Sequence, residues 1–353
     1  MTSKSPIEHV VLIIKENHCF DNYFGTFPGA NGAKLAHAPN PPKTDHDHKH
    51  AAWLKRKTTA AKEQYLEVDI PAYFAYARQY VLCDNYFTDV AGPSTPNHLM
   101  LIAADAPIID NPPRTPPPLY DLPSLPIALE KAKLTWGNYG GYAFSMIKAL
   151  QGKAQAMTTG GLNVANFSYG DPDKPGTAAV ATPQSLSAQF ATDAAAGKLP
   201  AVSWVYAPHD ASEHPPTFSD KNPLVGNVTH GMQWTVDQVN AVVKGGLWPK
   251  TAIFITWDDW GGWLDHVDPP ALEKWKDGTQ FRYGSRVGCL VLSPYAKHGY
   301  ISKTLHSHVS LLKFCETTFG LPPVNTRTPK ADDMSDCFDF KQQPAPPPAA
   351  KPV

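Results

Sequence analysis

Apolar and polar positions along the chain alternate in blocks that predict strands and helices in turn. Five short runs rich in β-branched and aromatic residues predict buried strands, at Val10–Ile14, Val81–Asn85, Ala201–Tyr206, Ala252–Trp257 and Gly288–Ser293. Four segments show the helical spacing of apolar residues, at Pro71–Gln79, Leu186–Ala196, Gly231–Val243 and His308–Phe319. Strands that are apolar on both faces and alternate with helices predict an α/β fold with a mostly parallel sheet covered on both sides.

Polar residues follow four of these strands, at the point where each strand ends. The segments read IIKENH, DNYFTDVAGPSTPNH, WVYAPHDASEHPP and TWDDWGGWLDH. In a sheet of this kind, functional sites gather in the crevice beyond the carboxyl ends of the strands. The pattern therefore predicts one polar site at this edge of the sheet.

Asp258 and Asp259 are two adjacent acids at the end of an otherwise apolar strand. Burying even one carboxylate without a partner is costly, and neighbouring like charges repel. A divalent metal ion satisfies both acids, whereas the alternative is a pair of solvated loop carboxylates. Carboxylates with an amide carbonyl form an oxygen-rich site suited to such an ion, and the further candidates are Glu16, Asn17, Ser94 and Thr95.

Ser94 lies in the loop AGPSTPNH, where Gly92 and two prolines are suited to a sharp, exposed turn. A hydroxyl bound to a metal ion loses its proton more readily and becomes a nucleophile near neutral pH. The alternative is an ordinary turn hydroxyl.

Several histidines are candidates for phosphate binding or acid/base chemistry. His214 and His266 lie just past strand ends beside prolines, and imidazolium can stabilise a phosphoryl charge or protonate a leaving oxygen. His46, His48 and His50 either chelate a metal by themselves or form a solvated loop. His230 and His308 each open a predicted helix and either take part in the site or cap the helix. Three tryptophans flank the acids and either wall the site or pack in the core, namely Trp257, Trp260 and Trp263.

Composition narrows the class of protein. The 353 residues are 42% hydrophobic and 11% aromatic, enough for a large core, and the formal net charge of −1 provides no basic field for nucleic acid. Five scattered cysteines without a CxxC pair predict neither a disulfide framework nor a thiolate zinc site, and favour a reducing compartment. No signal peptide opens the given sequence, and no apolar run reaches the about 20 residues of a membrane helix. We expect a cytoplasmic protein, or a secreted or periplasmic one if the N-terminus was trimmed.

The organisation along the chain predicts a single domain over residues 1–340. The 36 prolines mark long ordered loops, and residues 106–126 form a proline-rich surface loop. The tail 341–353, rich in proline and alanine, is of low complexity and is predicted to be disordered.

Six ordered blocks between about residues 7 and 340 resemble the phosphoesterase family of bacterial non-specific phospholipases C and related acid phosphatases. The opening IEHVVLIIKENHCFDNYFGTFPGA is similar to that family's first block, usually ENRSFDxYFG, and AGPSTPNHL to its nucleophile block, often GPTxPNRL. The segments VSWVYAPHDASEHPP, FITWDDWGGWLDHVDPP, RVGCLVLSPYAKHGYI with HSHVSLLKFCETTFGLP, and DDMSDCFDF resemble the remaining blocks in order.

The resemblance implies an alkaline-phosphatase-like, three-layer α/β/α sandwich that uses a divalent metal ion, Ca, Mg, Mn or Zn. It implies the metal ligands Glu16, Asn17, Asp258 and Asp259. Ser94 takes the position of the hydroxyl nucleophile that forms a phosphoryl-enzyme, with His214 and His266 as further catalytic residues. Phosphate would be bound by Asn97, His48 and His230.

The sequence also departs from the family pattern. His18 and Cys19 replace the usual Arg and Ser of the ENRS motif, and His98 replaces the Arg of PNR. Losing both arginines removes bidentate phosphate clamps, and histidines are charged only at lower pH.

Three functions remain open from the sequence. The first is a metal-dependent, phospholipase C-like hydrolase of phosphodiesters, acting on a small phosphate ester or a phospholipid head group. The second is an acid phosphatase that acts on monoesters. The third is a non-catalytic protein that binds a phosphorylated ligand on the same scaffold. A sulfatase is disfavoured because the Cys-x-Pro-x-Arg signature is missing.

Overall fold

A seven-stranded sheet forms the centre of the protein, here a computed structural model that describes residues 5–113, 118–150 and 183–352. In chain order its strands are β1 (His9–Lys15), β2 (Val81–Cys83), β3 (Trp136–Tyr139), β4 (Val202–Tyr206), β5 (Thr251–Trp257), β6 (Cys289–Leu292) and β7 (Tyr300–Ser302). Their spatial order is β7-β2-β6-β5-β1-β4-β3. Only β6 runs antiparallel to its neighbours, whereas every other pairing in the sheet is parallel.

The middle strands are buried on both faces. All seven residues of β5 and six of the seven residues of β1 are buried, and the two strands pair from His9–Thr251 to Lys15–Trp257. A strand without a solvent face needs helices on both sides of the sheet. The parallel pairing brings the carboxyl ends of β1 and β5 side by side, and this places the segments after them in contact.

Helices cover both faces of the sheet. Their bounds are α1 Phe20–Phe24, α2 His50–Trp53, α3 Arg56–Thr59, α4 Pro71–Gln79, α5 Ser94–Ala103, α6 Leu125–Lys131, α7 Pro183–Ala195, α8 Val228–Lys244 and α9 His308–Phe319. On one face of β5, the Phe254 ring lies 5.0 Å from Phe314 of α9. On the other face, the Trp257 ring lies 5.5 Å from Tyr73 of α4. The result is the expected three-layer α/β/α sandwich.

The sequence pattern located the central elements but missed several at the flanks. All five predicted strands and all four predicted helices are present, with ends that differ by up to three residues. The strands β3 and β7 were not predicted, because WGNY and YIS are short and only partly apolar. The segment after Pro93 was expected to be a turn but is the helix α5, with Ser94 as its first residue.

The proline-rich segment and the C-terminal tail differ from the expectation in part. Residues 114–117 of the predicted 106–126 loop lie outside the described residues, and α6 begins inside its end. The tail runs along the surface in an extended path, where Tyr80 Oη donates to the Pro346 carbonyl and Trp248 Nε1 to that of Ala345. A proline-rich segment loses little conformational entropy when it becomes ordered, so a few such hydrogen bonds can hold the tail in place.

Within the described ranges, no helix is both long and apolar enough to cross a membrane.

Candidate active site

Residues from three distant parts of the sequence meet at the carboxyl edge of the sheet. Glu16 and Asn17 follow β1, Asp258 and Asp259 follow β5, and Ser94 opens α5. The contacts described below join all of them. The structure therefore assembles the predicted cluster, because adjacent parallel strands end at the same edge and α5 begins there.

Ser94 is in contact with the acidic pair. Its Oγ donates to Asp259 Oδ2 at 3.0 Å and lies 3.5 Å from Asn17 Oδ1. Its neighbour Thr95 points elsewhere, since its Oγ1 bonds the Tyr142 hydroxyl at 2.9 Å. Of the two candidate hydroxyls, only that of Ser94 reaches the acids.

The backbone fixes both carboxylates. Asp258 Oδ1 accepts from the Asn17 and Asp259 N–H groups, at 2.9 and 2.7 Å, and Asp259 Oδ1 accepts from the Gly261 N–H at 2.7 Å. Each carboxylate thus has one oxygen held by backbone donors. The Oδ2 atoms of both remain available to side chains in the site.

His98 provides a buried positive charge beside the acids. Its Nε2 lies 3.2 Å from Asp258 Oδ2 and 3.4 Å from Glu16 Oε1. Burial opposes a charge on this imidazole, but its contacts with Asp258 and Glu16 prevail and raise its pKa to about 10. Burial likewise opposes the charge of Asp258, yet His98 lowers the pKa of that carboxyl to about 2. We had expected His98 to be charged only at low pH, and its neighbours overturn that expectation.

His48 borders the site on its more open side, since 12% of its side chain is exposed against 1% of that of His98. Its Nε2 lies 3.3 Å from Asn17 Nδ2 and 4.0 Å from Asp259 Oδ2, and its Nδ1 bonds the His46 carbonyl. Burial opposes its charge, but Asp259 and Asp45 outweigh burial and raise the pKa of His48 to about 9. Trp260 Nε1 donates to the His48 carbonyl at 2.8 Å and so holds this loop in place.

The donor set fits a divalent cation. Asp258 and Asp259 are fully buried side by side, and burial together with the charge of Asp258 raises the pKa of Asp259 well above its usual range. That shift reflects the cost of burying two adjacent carboxylates, and a cation bound to both would lower this cost. A hard cation would be held by oxygens of Asp258, Asp259, Glu16 and Asn17, with Ser94 Oγ beside them.

Asn97, which the sequence predicts to bind phosphate, does not face the site. Its Oδ1 accepts from the Val90 N–H at 2.8 Å, and its Nδ2 lies 3.1–3.4 Å from the carbonyls of Val90, Gly92 and Pro93. These bonds occupy the whole amide. Asn97 therefore shapes the loop that leads into Ser94 rather than binding phosphate.

Of the other predicted histidines, His214 lies beside His48 at the site. Its ring centroid is 6.3 Å from that of His48. His266 was expected to be catalytic, but its Nδ1 pairs with Asp21 Oδ2 at 2.6 Å and its Nε2 lies 3.2 Å from Asn31 Oδ1. The turn after β5 carries it to this separate cluster. His230 lies in the first turn of α8, where its N–H donates to the N-cap residue Asn227.

The remaining candidates are structural. His50 is buried and bonds the Ala91 carbonyl and Thr279, and His46 packs edge-on against Trp263. The three predicted histidines of this segment thus neither chelate a metal by themselves nor form a solvated loop, namely His46, His48 and His50. His18 bonds Asn22 and the Glu213 carbonyl, and burial lowers its pKa to about 4, so it provides no phosphate clamp. Three tryptophans are buried in the core and do not line the site, namely Trp257, Trp260 and Trp263.

His308, which the sequence left open between a site residue and a helix cap, contributes to the site, as do two tyrosines that the sequence analysis did not single out. His308 Nε2 bonds the Asp258 carbonyl at 2.8 Å, and Tyr86 Oη bonds the other ring nitrogen at 3.0 Å. The rings of Tyr142 and Tyr206 lie 5.0 and 5.2 Å from that of His98. For His308 the signal was its position at a helix start, which indicated a cap as readily as a site residue. Tyr142 lies in a segment without a motif, whereas Tyr206 belongs to the strand-end segment WVYAPHDASEHPP but was not singled out there.

Comparison with known proteins agrees with the resemblance. A family model described as the phosphoesterase family matches residues 7–45 and 40–322. A non-hemolytic phospholipase C of Pseudomonas aeruginosa is 27% identical over 95% of this chain, which spans 57% of that protein's length. Phospholipase C B of Mycobacterium tuberculosis is 26% identical over 96% of this chain and 79% of its own length. Part of the first relative therefore has no counterpart here.

Two solved structures share the fold. The crystal structure of Ps i-CgsB in complex with k-i-k-neocarrahexaose has a TM-score of 0.52 at 12% identity, covering 93% of this chain and 75% of that one. A protein of Bacteroides thetaiotaomicron glycosaminoglycan metabolism has a TM-score of 0.51 at 11% identity, covering 98% and 79%. These likenesses concern the fold alone, which is alkaline-phosphatase-like as expected. Since the family model spans most of the sequence, the chain belongs to the phosphoesterase family.

Proposed function

We propose that the protein is a metal-dependent hydrolase of phosphate esters in which Ser94 is the nucleophile. The observation that carries the proposal is the hydrogen bond from Ser94 Oγ to the buried Asp259 carboxylate, at 3.0 Å, inside a set of oxygen ligands. A serine hydroxyl is a weak nucleophile unless a base or a cation activates it. Here the base is adjacent, and the oxygen ligands fit a cation.

The metal ion would be held by Glu16, Asn17, Asp258 and Asp259. When bound, a divalent ion there supplies Lewis-acid chemistry, which withdraws charge from phosphoryl oxygens and lowers the pKa of a nearby hydroxyl. We infer this role from the ligand chemistry, and the identity of the ion stays open among Ca, Mg, Mn and Zn.

The side chains account for the proton and charge transfers. Ser94 Oγ bonds to phosphorus while its proton passes to Asp259 Oδ2, and the bond from phosphorus to the leaving oxygen breaks. His48, on the open side of the site, donates the proton that the leaving oxygen takes up. Water then attacks phosphorus and gives a proton to His48. The bond between Ser94 Oγ and phosphorus breaks, and Ser94 Oγ takes back the proton held by Asp259 Oδ2. His98 stays buried against Asp258 and Glu16 and compensates their charge.

Phosphodiesters are the substrate class that we favour. The two relatives described above are both phospholipases C, which supports a phosphorylated head group as the leaving portion. A monoester substrate, as in an acid phosphatase, is the alternative within the same chemistry. Binding of a phosphorylated ligand without turnover is the second alternative. In its favour, His18 stands in place of the family's Arg and bonds the Glu213 carbonyl, and the predicted phosphate ligand Asn97 accepts a hydrogen bond from the Val90 N–H.

Hydrolysis of two chromogenic esters tests the proposal. We would compare p-nitrophenyl phosphate with p-nitrophenyl phosphorylcholine, with and without EDTA, for wild type and Ser94→Ala. The proposal requires turnover that EDTA removes, that divalent ions restore and that Ser94→Ala abolishes. A preference for the phosphorylcholine ester supports the diester class, and the opposite preference supports the monoester class.

Two results would contradict the proposal. Wild-type rates in Ser94→Ala would remove Ser94 as nucleophile. Absence of turnover with every added divalent ion, combined with calorimetric binding of phosphorylcholine, would favour the binding protein.

A further inference from the structure

A second cluster of potential metal ligands lies away from Ser94 and shares no residue with the proposed catalytic site. Cys83 ends β2, His306 lies in the short strand His306–Ser307, and Asp336 and Cys337 belong to the 3-10 helix Ser335–Cys337. Cys83, His306 and Cys337 are buried, and ligand atoms of these three lie within 4.8 Å of one another. Asp336 is partly exposed and lies between the buried trio and solvent.

The distances between these atoms are those of a tetrahedral zinc site. The two sulfurs are 3.8 Å apart, His306 Nε2 is 3.2 Å from Asp336 Oδ1, and Cys337 Sγ is 3.5 Å from the same oxygen. Zinc bonds of about 2.3 Å to sulfur and about 2.0–2.2 Å to nitrogen or oxygen give tetrahedral edges of about 3.8, 3.4 and 3.6 Å for these pairs. All three observed separations agree with that geometry within about 0.2 Å.

The surrounding side chains orient the ligands. Asp336 Oδ2 accepts from Ser302 and Thr304, at 2.5 and 3.1 Å, which leaves Oδ1 directed at His306 and Cys337. His306 Nδ1 lies 2.9 Å from Asp332 Oδ1. A ligating histidine usually donates its second ring N–H to a carboxylate, so with an ion bound this contact would keep a proton on Nδ1. Without an ion, Nε2 lies 3.0 Å from Ser302 Oγ and 3.2 Å from Asp336 Oδ1, and the ion would replace these contacts.

We propose that Cys83, Cys337, His306 and Asp336 form a structural Zn²⁺ site. All four tetrahedral positions are filled by protein, which is typical of structural rather than catalytic zinc. Binding displaces the thiol protons of both cysteines and the Nε2 proton of His306, which pass to solvent. The ion ties the 3-10 helix near the C-terminus to the end of β2. It also anchors the segment that leads to His308, which contacts the Asp258 carbonyl.

The sequence did not suggest this site, because zinc motifs are recognised by short spacings between cysteines. Here Cys83 and Cys337 are 254 residues apart. A disulfide between them is the competing chemistry, and it would require the sulfurs to approach to about 2.05 Å.

Cobalt substitution tests the proposal on the full chain. Wild-type protein freed of metal and given Co²⁺ alone should show thiolate-to-cobalt charge-transfer absorption and the intense visible bands of tetrahedral cobalt. Cys337→Ala should lose these bands. Cys315→Ala, which removes a buried cysteine in α9, should keep them, as should Asp259→Asn in the proposed catalytic site. Loss of the bands only in Asp259→Asn, or their absence from wild type, would overturn the proposal.

A second measurement uses only wild-type protein and therefore does not require any variant to fold. X-ray absorption of wild-type protein loaded with one equivalent of Zn²⁺ should show sulfur neighbours at about 2.3 Å. Two results would contradict the proposed zinc site. One is a coordination shell of oxygen and nitrogen alone, and the other is recovery of a Cys83–Cys337 disulfide peptide from freshly purified protein.

Discussion

Gly261 lies so close to Asn17 that a Cβ on this glycine would be 2.0 Å from the Asn17 carbonyl oxygen. The glycine also adopts a left-handed φ of +58°, and Asn17 itself has a φ of +62°. The turn after β5 and the turn after β1 are therefore packed backbone to backbone. This contact sets the position of Asn17 relative to the two acids.

Gly261→Ala should therefore displace Asn17 and impair turnover. A shift of about 1 Å in a reacting geometry can cost on the order of 10²-fold in rate, and we expect a loss of kcat of that size. Gly278→Ala is the matched control, because Gly278 also has a positive φ, of +87°, but a Cβ on it would have no neighbour within 4 Å. Both variants carry the left-handed strain, and equal losses of kcat in both would show that the close approach to Asn17 is not the cause.

Ser94→Ala should lower kcat by on the order of 10³-fold or more, since removing a nucleophile eliminates the covalent path. Ser94→Thr keeps a hydroxyl and should retain measurable activity. Thr95→Ala is the control, because Thr95 Oγ1 bonds Tyr142 instead of the acids. Steady-state kinetics with p-nitrophenyl esters checks the series. If Thr95→Ala lowered kcat as much as Ser94→Ala, disruption of the loop and not loss of the Ser94 hydroxyl would explain both effects.

Asn97→Ala should destabilise the protein and lower kcat without weakening phosphate binding. The change leaves the buried Val90 N–H without its partner, at a cost of about 1–3 kcal/mol in unfolding free energy. Thermal unfolding and the inhibition constant of inorganic phosphate would be measured together. If Asn97 bound phosphate directly, the inhibition constant would rise while the melting temperature stayed constant.

Glu213→Gln should cost about 3–5 kcal/mol of unfolding free energy, because it leaves the charge of the fully buried Lys15 uncompensated. Lys15 Nζ lies 3.2 Å from Glu213 Oε1, and the carboxylate also accepts from Tyr23, Tyr73 and Trp257. Adding Lys15→Met should recover part of the loss.

The exposed pair of Lys250 and Glu8 provides the control for this prediction. Its atoms approach to 2.9 Å, but both side chains are 58% exposed, so Glu8→Gln should cost less than about 1 kcal/mol. Urea denaturation compares the variants. Equal effects at the buried and exposed pairs would show that the buried charges are better solvated than the structure indicates.

Glu273 should make the stability depend on pH. Burial alone would raise the pKa of Glu273, but hydrogen bonds from Arg327 and Arg282 prevail and lower it. A carboxyl whose pKa is lower in the folded state stabilises the fold above its unfolded pKa, near 4.3, and this contribution is lost as pH falls through the folded value. Glu273→Gln should therefore be less stable than wild type at pH 7, by no more than about 1 kcal/mol because the side chain is 33% exposed.

Urea denaturation at pH 7 and at pH 3 tests this linkage. The difference in unfolding free energy between wild type and Glu273→Gln should shrink at the lower pH, because the carboxyl of the unfolded chain takes up a proton below its pKa near 4.3. If the difference in unfolding free energy were the same at pH 3 as at pH 7, the loss of stability would come from altered packing and not from the charge of Glu273.

The sequence by itself determined the class of fold and the acids at the centre of the site. Strands apolar on both faces can only be buried between helices, and this fixed the α/β layers without knowledge of the strand order. Adjacent acids at the end of such a strand likewise marked Asp258 and Asp259, because strand ends define the crevice. Polar residues after the other predicted strands marked Glu16, Asn17 and Ser94 as further candidates. The family resemblance implied their roles, and the structure brings them together with the two acids.

Only the tertiary structure decided which other side chains reach the acids. Asn97 and His98 are neighbours in the sequence, yet the turn of α5 directs one to its own loop and the other to Asp258. His266 is close to the acids along the chain but is carried to Asp21 by the turn that follows Gly261. Cys83 and Cys337 meet although 254 residues separate them. Such contacts depend on helix phase, turn direction and sheet order, which are set by packing of the whole chain and not by local pattern.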